Sequence, residues 1–228
     1  ITSGLVGSEM CIRDRSKYKF SQEQIIMCGR YVITNPVSKT KKIVKSAIQV
    51  EDNENYNAHP YQKLPVIKKY INGNTLENLT WGIIPSWSKK KDFKPLTNAR
   101  LETIDEKISF KKLIKVSRCI AIADGFYEWK REDKIKTPFY FQRVDKKLIY
   151  FAAIFENKQF CLITEQASSN ISEIHHRQPV ILNENDVNKY LNLELSGSEI
   201  LNECRKPTLN FYEVSKEVNK PTNKSPAS

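Results

Sequence analysis

Two apolar runs, residues 64–71 and 75–84, are separated by the tripeptide Asn72-Gly73-Asn74. Asn and Gly both accept the positive φ angles of a tight turn, so this pair between two strand-like runs is a strong signal for a β-hairpin. The chain therefore contains at least one antiparallel strand pair, and the remaining residues have to be arranged around it.

Most of the remaining chain consists of short apolar runs separated by polar turns. Neither an internal repeat nor a linker divides it, which predicts one mixed α+β domain with many short, mostly antiparallel strands. We expect a second hairpin that joins residues 139–144 to 148–155 around residues 145–147. Further strand-like or apolar runs are residues 30–34, 118–129, 160–164 and about 209–214, and helices are expected at residues 38–48, 109–115, 184–192 and 198–204.

The cysteines argue against two classes of small protein. The five cysteines are odd in number, scattered and without a Cys-x-x-Cys pair, which disfavours both a disulfide framework and a structural zinc site. A reducing, cytoplasmic compartment follows, and no cofactor or metal is expected. No apolar run approaches the roughly 20 residues of a membrane span, so a membrane is not an expected partner.

The net charge of the 228 residues is +11, with a pI near 9.3. Such a balance favours a polyanionic partner, above all nucleic acid. A lysine-rich background composition is the alternative, because net charge does not reveal where the charge lies.

The pentapeptide MCGRY at residues 27–31 offers unusual chemistry. If translation begins at Met27 and that residue is removed, Cys28 carries a free α-amine beside its thiol. The amine, with a pKa of about 7.7–8.0, can attack an aldehyde to give an imine. The thiol can then close onto the imine carbon and give a thiazolidine. The alternative is a buried cysteine that acts only as a small apolar residue.

Residues 1–26 resemble read-through of non-coding or adapter sequence. They lack the apolar core and the cleavage site of a signal peptide. We therefore expect them to be artefactual or removed. An uncleaved extension would block the amine of Cys28. At the other end, residues 220–228 predict a mobile tail.

Glu128 and His175 are the candidate acid–base groups. Glu128 lies in the apolar run GFYEW at residues 125–129, where a carboxylate is costly unless it is used or paired. His175 lies in a polar loop and could move protons near neutral pH. An outward-facing strand residue and a surface histidine are the corresponding alternatives, and His59 is treated as incidental.

A third group of candidates could hold DNA. The amide of Asn98 could orient a sugar oxygen, and the planar guanidinium of Arg100 suits a phosphate; a turn with a salt bridge to Glu102 is the alternative. Single strands bind to grooves where bases stack on aromatic rings. Such a surface could combine three arginines and three tryptophans, although core packing is the alternative for each tryptophan: Arg30, Arg100, Arg177, Trp81, Trp87 and Trp129.

Six motifs together resemble the SRAP family, the SOS response-associated peptidase proteins. They occur in family order from about residue 27 to residue 219, which makes chance agreement implausible. They are MCGRY at 27–31, YNAHP at 56–60, WGIIPSW at 81–87, NARLET at 98–103, ADGFYEW at 123–129 and IHHRQP at 174–179.

The resemblance implies an α+β domain, here residues 27–219, with a barrel-like β core and short peripheral helices. It implies a protein that crosslinks covalently to abasic sites in single-stranded DNA through an N-terminal cysteine, with autopeptidase and AP-lyase activity in the DNA damage (SOS) response. We expect a monomer. By resemblance the catalytic residues are Cys28, Asn98, Glu128 and His175, and the DNA-binding residues are Arg30, Pro60, Arg100, Trp129, Thr164 and Arg177.

Two other functions remain open at this point. A cysteine peptidase acting in trans could use Cys28, His175 and Glu128 on peptide bonds. A non-catalytic module could bind single-stranded DNA without any reaction. A cysteine directly after an initiator methionine favours the crosslinking protein, because a peptidase acting in trans does not need its cysteine at the terminus.

Overall fold

The computed structural model describes residues 29–90, 92–133, 135–220, 222 and 225–226. The predicted extension at 1–26 and the predicted nucleophile Cys28 lie outside the described residues, as does much of the predicted tail at 220–228.

Strands dominate the described part of the chain, and helices are few and short. The strands are β1 Arg30–Thr34, β2 Ser46–Ile48, β3 Glu54–Ala58, β4 Lys63–Tyr70, β5 Gly73–Trp81, β6 Asn98–Arg100, β7 Arg118–Ala123, β8 Gly125–Glu132, β9 Ile135–Arg143, β10 Ile149–Glu156, β11 Gln159–Gln166, β12 Arg177–Pro179, β13 Ile181–Leu182 and β14 Leu209–Glu213. The helices are α1 Pro36–Thr40, α2 Leu113–Val116, α3 Ser169–Ser172, α4 Glu184–Leu191 and α5 Gly197–Glu203, with 3₁₀ turns at Leu101–Thr103 and Lys216–Asn219.

The smaller sheet carries most of the candidate site. Its strand order is β14-β9-β8-β1-β3, and every neighbouring pair is antiparallel. Phe126 of β8 stacks on Phe141 of β9 with ring centroids 4.9 Å apart. This stack fixes which face of β8 points into the core, because successive side chains alternate between the two faces of a strand.

The larger sheet forms an incomplete ring. Its order is β12-β11-β10-β7-β4-β5-β2, and a short parallel pairing of β11 with β5 links the two sides. Only two residue pairs make that link, Gln159 with Thr80 and Phe160 with Trp81. The mixed α+β class with a barrel-like β core is therefore confirmed, although the ring is not evenly closed.

A shared core joins the two sheets. Tyr31 of β1 contacts Trp81 of β5, with ring centroids 5.3 Å apart, and Phe151 of β10, with ring centroids 5.8 Å apart. All three side chains are buried. Burial at about 25 cal/mol per Å² of apolar surface makes such aromatic contacts a main source of stability.

The second predicted hairpin is wrong. β9 and β10 belong to different sheets: β9 pairs with β8 and β14, and β10 pairs with β7, β11 and β13. Residues 144–148 cross between the sheets, and Asp145 binds the Arg143 side chain at 2.8 and 2.7 Å there. Long-range packing thus overrides the local turn signal.

The predicted helix at 38–48 is also wrong. The helix there is α1, which ends at Thr40, and residues 46–48 form β2 beside β5. Ile48, in β2, is half exposed. The two predicted C-terminal helices are confirmed as α4 and α5. Within the described residues, no helix is long and apolar enough to cross a membrane.

Candidate active site

A cleft of about 560 Å³ opens where β1 enters the smaller sheet beside β8. The buried Gly29 lies in its wall and directly follows Cys28 in the chain. Arg30 pairs with Tyr127 in the β1–β8 ladder, so the next antiparallel position sets Gly29 opposite Glu128. Five of the predicted site residues line this cleft: Arg30, Pro60, Glu128, Trp129 and His175.

Glu128 is held in the interior of β8. Glu128 is only 2% exposed, and it pairs with Phe139 of β9 in the antiparallel ladder. A buried carboxylate at the wall of a cleft is costly unless a partner or a reaction uses it. This position therefore suits an acid–base group.

His175 approaches the same cleft from the loop between α3 and β12. Its Nδ1 lies 3.0 Å from the backbone oxygen of Arg177 and 3.2 Å from the backbone nitrogen of Arg177, so either tautomer is anchored at this edge of the ring. Burial lowers the pKa of His175, and the hydrogen bond to the Arg177 backbone opposes this by raising it. The charges of His176, Arg131 and Arg177 lower it further, so the net shift is downward. The ring is therefore kept neutral near neutral pH and can accept a proton.

His59, dismissed from the sequence, also lines the cleft. The backbone N–H of His59 donates to the Oε1 atom of Gln62 at 3.3 Å, which fixes the orientation of that amide. The Gln62 Nε2 group then donates to Nε2 of His59 at 3.0 Å, and Nδ1 donates to the backbone oxygen of Pro60 at 2.8 Å. His59 thus braces the Pro60 loop in one neutral tautomer.

Arg30 and Trp129 contact each other and the C-terminal 3₁₀ turn. The Arg30 guanidinium lies 5.5 Å from the centroid of the Trp129 ring. It donates to the backbone oxygen of Val218 and, at 3.0 Å, to that of Asn219. Partial burial lowers the pKa of Arg30, although an arginine remains charged. A cation and an aromatic ring are thus held side by side at the cleft wall.

Arg177 and Thr164 lie beside the cleft, in the interior. The Arg177 guanidinium makes a two-pronged ion pair with Glu102, at 2.6 and 2.9 Å, and donates to the backbone oxygen of Thr164 at 2.8 Å. This pair lowers the pKa of Glu102. Thr164 is fully buried.

Asn98 and Arg100 lie on β6, which pairs in parallel with β11. Asn98 is partly buried, Arg100 is exposed, and Arg100 lies opposite Thr164. Because Arg177 binds Thr164 and its backbone anchors His175, these residues form a second group that adjoins the cleft without lining it.

Besides Gly29 and His59, four cleft residues were not among the sequence candidates: Tyr61, Arg131, Lys136 and Asn219. Arg131 and Lys136 carry a usable signal, since they are basic and follow GFYEW closely. Asn219 carries none, because it reaches the cleft from the far end of the domain. Among the described residues, no cluster of His, Cys, Asp and Glu could hold a metal ion.

Comparison with known proteins gives one consistent result. The family described as SOS response associated peptidase (SRAP) matches residues 27–221. The abasic site processing protein YoqW of Bacillus subtilis is 34% identical over 218 residues, covering 88% of this chain and 97% of YoqW. The abasic site processing protein YedK of Escherichia coli is 32% identical over 187 residues, covering 76% and 83%.

A solved structure shares the fold. A crystal structure of a protein from Bacteroides thetaiotaomicron superposes with a TM-score of 0.75 at 25% identity. The alignment covers 86% of this chain and 97% of that one.

Proposed function

The chain belongs to the SRAP family, the SOS response associated peptidases, and from that premise we propose that it captures abasic sites in single-stranded DNA. Its relatives YoqW and YedK are named abasic site processing proteins. In this proposal Met27 is removed, and Cys28 then forms a covalent thiazolidine with the ring-opened sugar.

One observation carries the proposal. A single cleft contains Glu128, His175 and Gly29, the residue covalently bonded to Cys28. Cys28 precedes Gly29 by one residue in the chain. A terminal aminothiol at Cys28 would therefore be attached to the cleft wall that also carries Glu128 and His175, two groups that can transfer protons. The neighbouring Arg30 and Trp129 supply a cation and a ring, the two features with which proteins hold single strands.

The reaction balances without a cofactor. The α-amine of Cys28 attacks the C1′ aldehyde, and the resulting carbinolamine loses water to give an imine. The thiol then adds to the imine carbon and its proton passes to nitrogen, so aldehyde and aminothiol yield thiazolidine and one water. Glu128 would protonate the departing hydroxyl, and the neutral His175 would accept the proton from the attacking group.

Two further activities belong to the same proposal. Removal of Met27 is a peptide-bond hydrolysis, which would make the protein its own peptidase if Glu128 and His175 perform it. The imine acidifies the sugar C2′ proton, so β-elimination of the 3′ phosphate would give AP-lyase activity. We further propose that the protein acts in the cytoplasm as a monomer.

The remaining predicted residues take supporting roles. Asn98 would orient the reacting sugar, and Arg100, exposed on β6, would meet a phosphate. Arg177 and Thr164 form one hydrogen-bonded unit that adjoins His175, and Pro60 would form the edge at which the strand bends.

The test is a denaturing gel of protein incubated with single-stranded DNA that carries one abasic site. Protein that starts at Met27 is expected to give a slower band, and Cys28→Ala is expected to give none. Cys204→Ala is the matched control and should crosslink normally, because Cys204 packs beside Leu201 and Lys206 near α5. The full 228-residue chain is expected to react only if residues 1–27 are removed.

Other results would change the conclusion. A band from every variant would mean that another nucleophile reacts. No band from protein whose mass shows Cys28 as first residue would overturn the proposal. Turnover of a peptide substrate in that case would favour a peptidase acting in trans.

A further inference from the structure

Two cations face each other at the mouth of the cleft. Arg131 of β8 lies directly opposite Lys136 of β9 in the antiparallel ladder, and both are exposed and line the cleft. Like charges directly opposite on neighbouring strands destabilise a sheet. This pairing therefore has a cost that the fold alone does not explain.

Among the described residues, no ion pair offsets that cost. The ion pair of this hairpin joins Lys130 to Glu132 at 2.8 Å. Within the described residues, neither Arg131 nor Lys136 forms a salt bridge. An anion placed between the two side chains would relieve their repulsion, and the planar guanidinium of Arg131 suits a phosphate.

The pair continues a row of groups along the cleft. Arg131 is two residues after Trp129 on β8, so both side chains share one face of the strand. At 3.2–3.4 Å per residue they are about 7 Å apart along the strand. The guanidinium of Arg30, on the neighbouring strand β1, lies 5.5 Å from the centroid of the Trp129 ring. A row of cation, ring and cation is the pattern that holds stacked bases and intervening phosphates.

We propose that Arg131 and Lys136 together bind a backbone phosphate of the DNA strand in the cleft, on the hairpin side of Trp129. The identity of the ligand as DNA rests on the proposed function. The site adds two residues to the DNA-binding set predicted from the sequence. It lies close to the reacting centre, because the charge of Arg131 acts on His175.

The test is the salt dependence of binding, measured by fluorescence anisotropy with the full chain and an intact single-stranded oligonucleotide. Each phosphate contact contributes about 0.7 to the slope of log K against log salt for a single strand. Arg131→Gln and Lys136→Gln are each expected to lower the magnitude of the slope by up to that amount. The double variant is expected to weaken binding most at low salt.

Lys130→Gln is the matched control. Lys130 is the neighbouring cation on β8, but it points to the other face and is paired with Glu132. For Lys130→Gln, the slope of log K against log salt is expected to equal that of the wild type. The Arg131 and Lys136 variants are expected to unfold at the same or a higher urea concentration than the wild type, because they remove a repulsion.

The outcomes separate this site from the proposed function. Unchanged slopes in both single variants and the double variant would overturn the phosphate site, even if wild-type protein crosslinks abasic DNA. Reduced slopes with no crosslinking by protein that starts at Cys28 would leave the phosphate site standing and overturn the crosslinking reaction. Equal loss of slope in Lys130→Gln would also overturn the site, because it would reveal a general charge effect.

Discussion

The indole Nε1 group of Trp129 donates a hydrogen bond of 2.6 Å to the Oδ1 atom of Asn219. Asn219 lies in the C-terminal 3₁₀ turn, 90 residues further along the chain. The turn is itself anchored, because Val218 is buried and the Asn57 side chain donates to the backbone oxygen of Lys220 at 2.9 Å. The orientation of the Trp129 ring in the cleft therefore depends on the end of the domain.

Asn219→Ala is expected to release the Trp129 ring. One neutral hydrogen bond contributes about 0.5–1.5 kcal/mol, so binding to single-stranded DNA should weaken by roughly two- to tenfold. Tryptophan fluorescence should change with it, since the indole N–H loses its acceptor. Asn219→Asp keeps an acceptor oxygen and is expected to restore the emission. Asn210→Ala, on exposed β14, is the control; an Asn219→Ala protein with wild-type emission and affinity would contradict the prediction.

Glu128→Gln is expected to slow crosslinking without unfolding the protein. Glutamine is nearly the same size but cannot transfer a proton, and a positioned acid–base group contributes about 10²–10⁴-fold in rate. The single-turnover rate on abasic single-stranded DNA should fall by at least about 100-fold. Glu132→Gln, at the exposed end of the same strand, should react like the wild type. A Glu128→Gln rate close to the wild-type rate would remove Glu128 from the mechanism.

Local patterns in the sequence predicted some elements well. Strand β1 was predicted at 30–34 and the first hairpin around 72–74, and both are confirmed, because turn and stop residues act within a few positions of the chain. Tyr70 pairs with Gly73, so the turn itself is Ile71-Asn72, shifted by one residue from the predicted Asn-Gly pair.

The second hairpin failed because its turn signal is local, whereas the partners of both strands are set by long-range pairing. β9 pairs with β8 from Phe126–Phe141 to Glu132–Ile135, and β10 pairs with β7 in the other sheet.

The candidate site was likewise predicted only in part from the sequence. Glu128 and His175 were named from motifs, and the structure brings both to one cleft. The role of Asn219 in that cleft depends on a contact across 90 residues, for which a single sequence carries no signal. The like-charged pair of Arg131 and Lys136 depends on the β8–β9 register, which the sequence does not give once the wrong hairpin is chosen.

Glu102→Gln is expected to reduce stability near neutral pH and to flatten its loss in acid. Arg177 holds the pKa of Glu102 below its ordinary value of 4.5. As pH falls, the Glu102 carboxylate is therefore protonated in the unfolded chain before it is protonated in the folded protein. The ion pair with Arg177 thus adds its full share to the free energy of unfolding above pH 4.5, and that share is lost as pH falls below 4.5. Because Glu102 is partly exposed, the contribution should be about 1 kcal/mol or less.

Urea unfolding at a series of pH values measures this contribution. Glu106→Gln, at an exposed position nearby with no ion pair among the described residues, is the control and should keep the wild-type acid dependence. A Glu102→Gln protein whose unfolding midpoint falls in acid as steeply as that of the wild type would show that the ion pair does not set this dependence.

His175 is expected to titrate below its ordinary pKa of 6.5, mainly because it is buried. NMR can follow it, because the chain has only three histidines and His175→Asn assigns its signal. His176, Arg131 and Arg177 also lower its pKa, although Arg177 is paired with Glu102. Removing a nearby positive charge makes protonation easier, so Arg131→Gln should raise the pKa of His175, and Lys130→Gln should leave it in place.

The same titration should appear in the stability of the protein. Between the lowered pKa of folded His175 and the ordinary value of 6.5, the unfolded chain binds more protons than the folded one, so stability falls as pH decreases through that window. His175→Asn should remove this contribution to the change of the free energy of unfolding with pH. A His175 signal that titrates above neutral pH would mean that most of the imidazole is charged when DNA arrives, and its role would change from proton acceptor to proton donor.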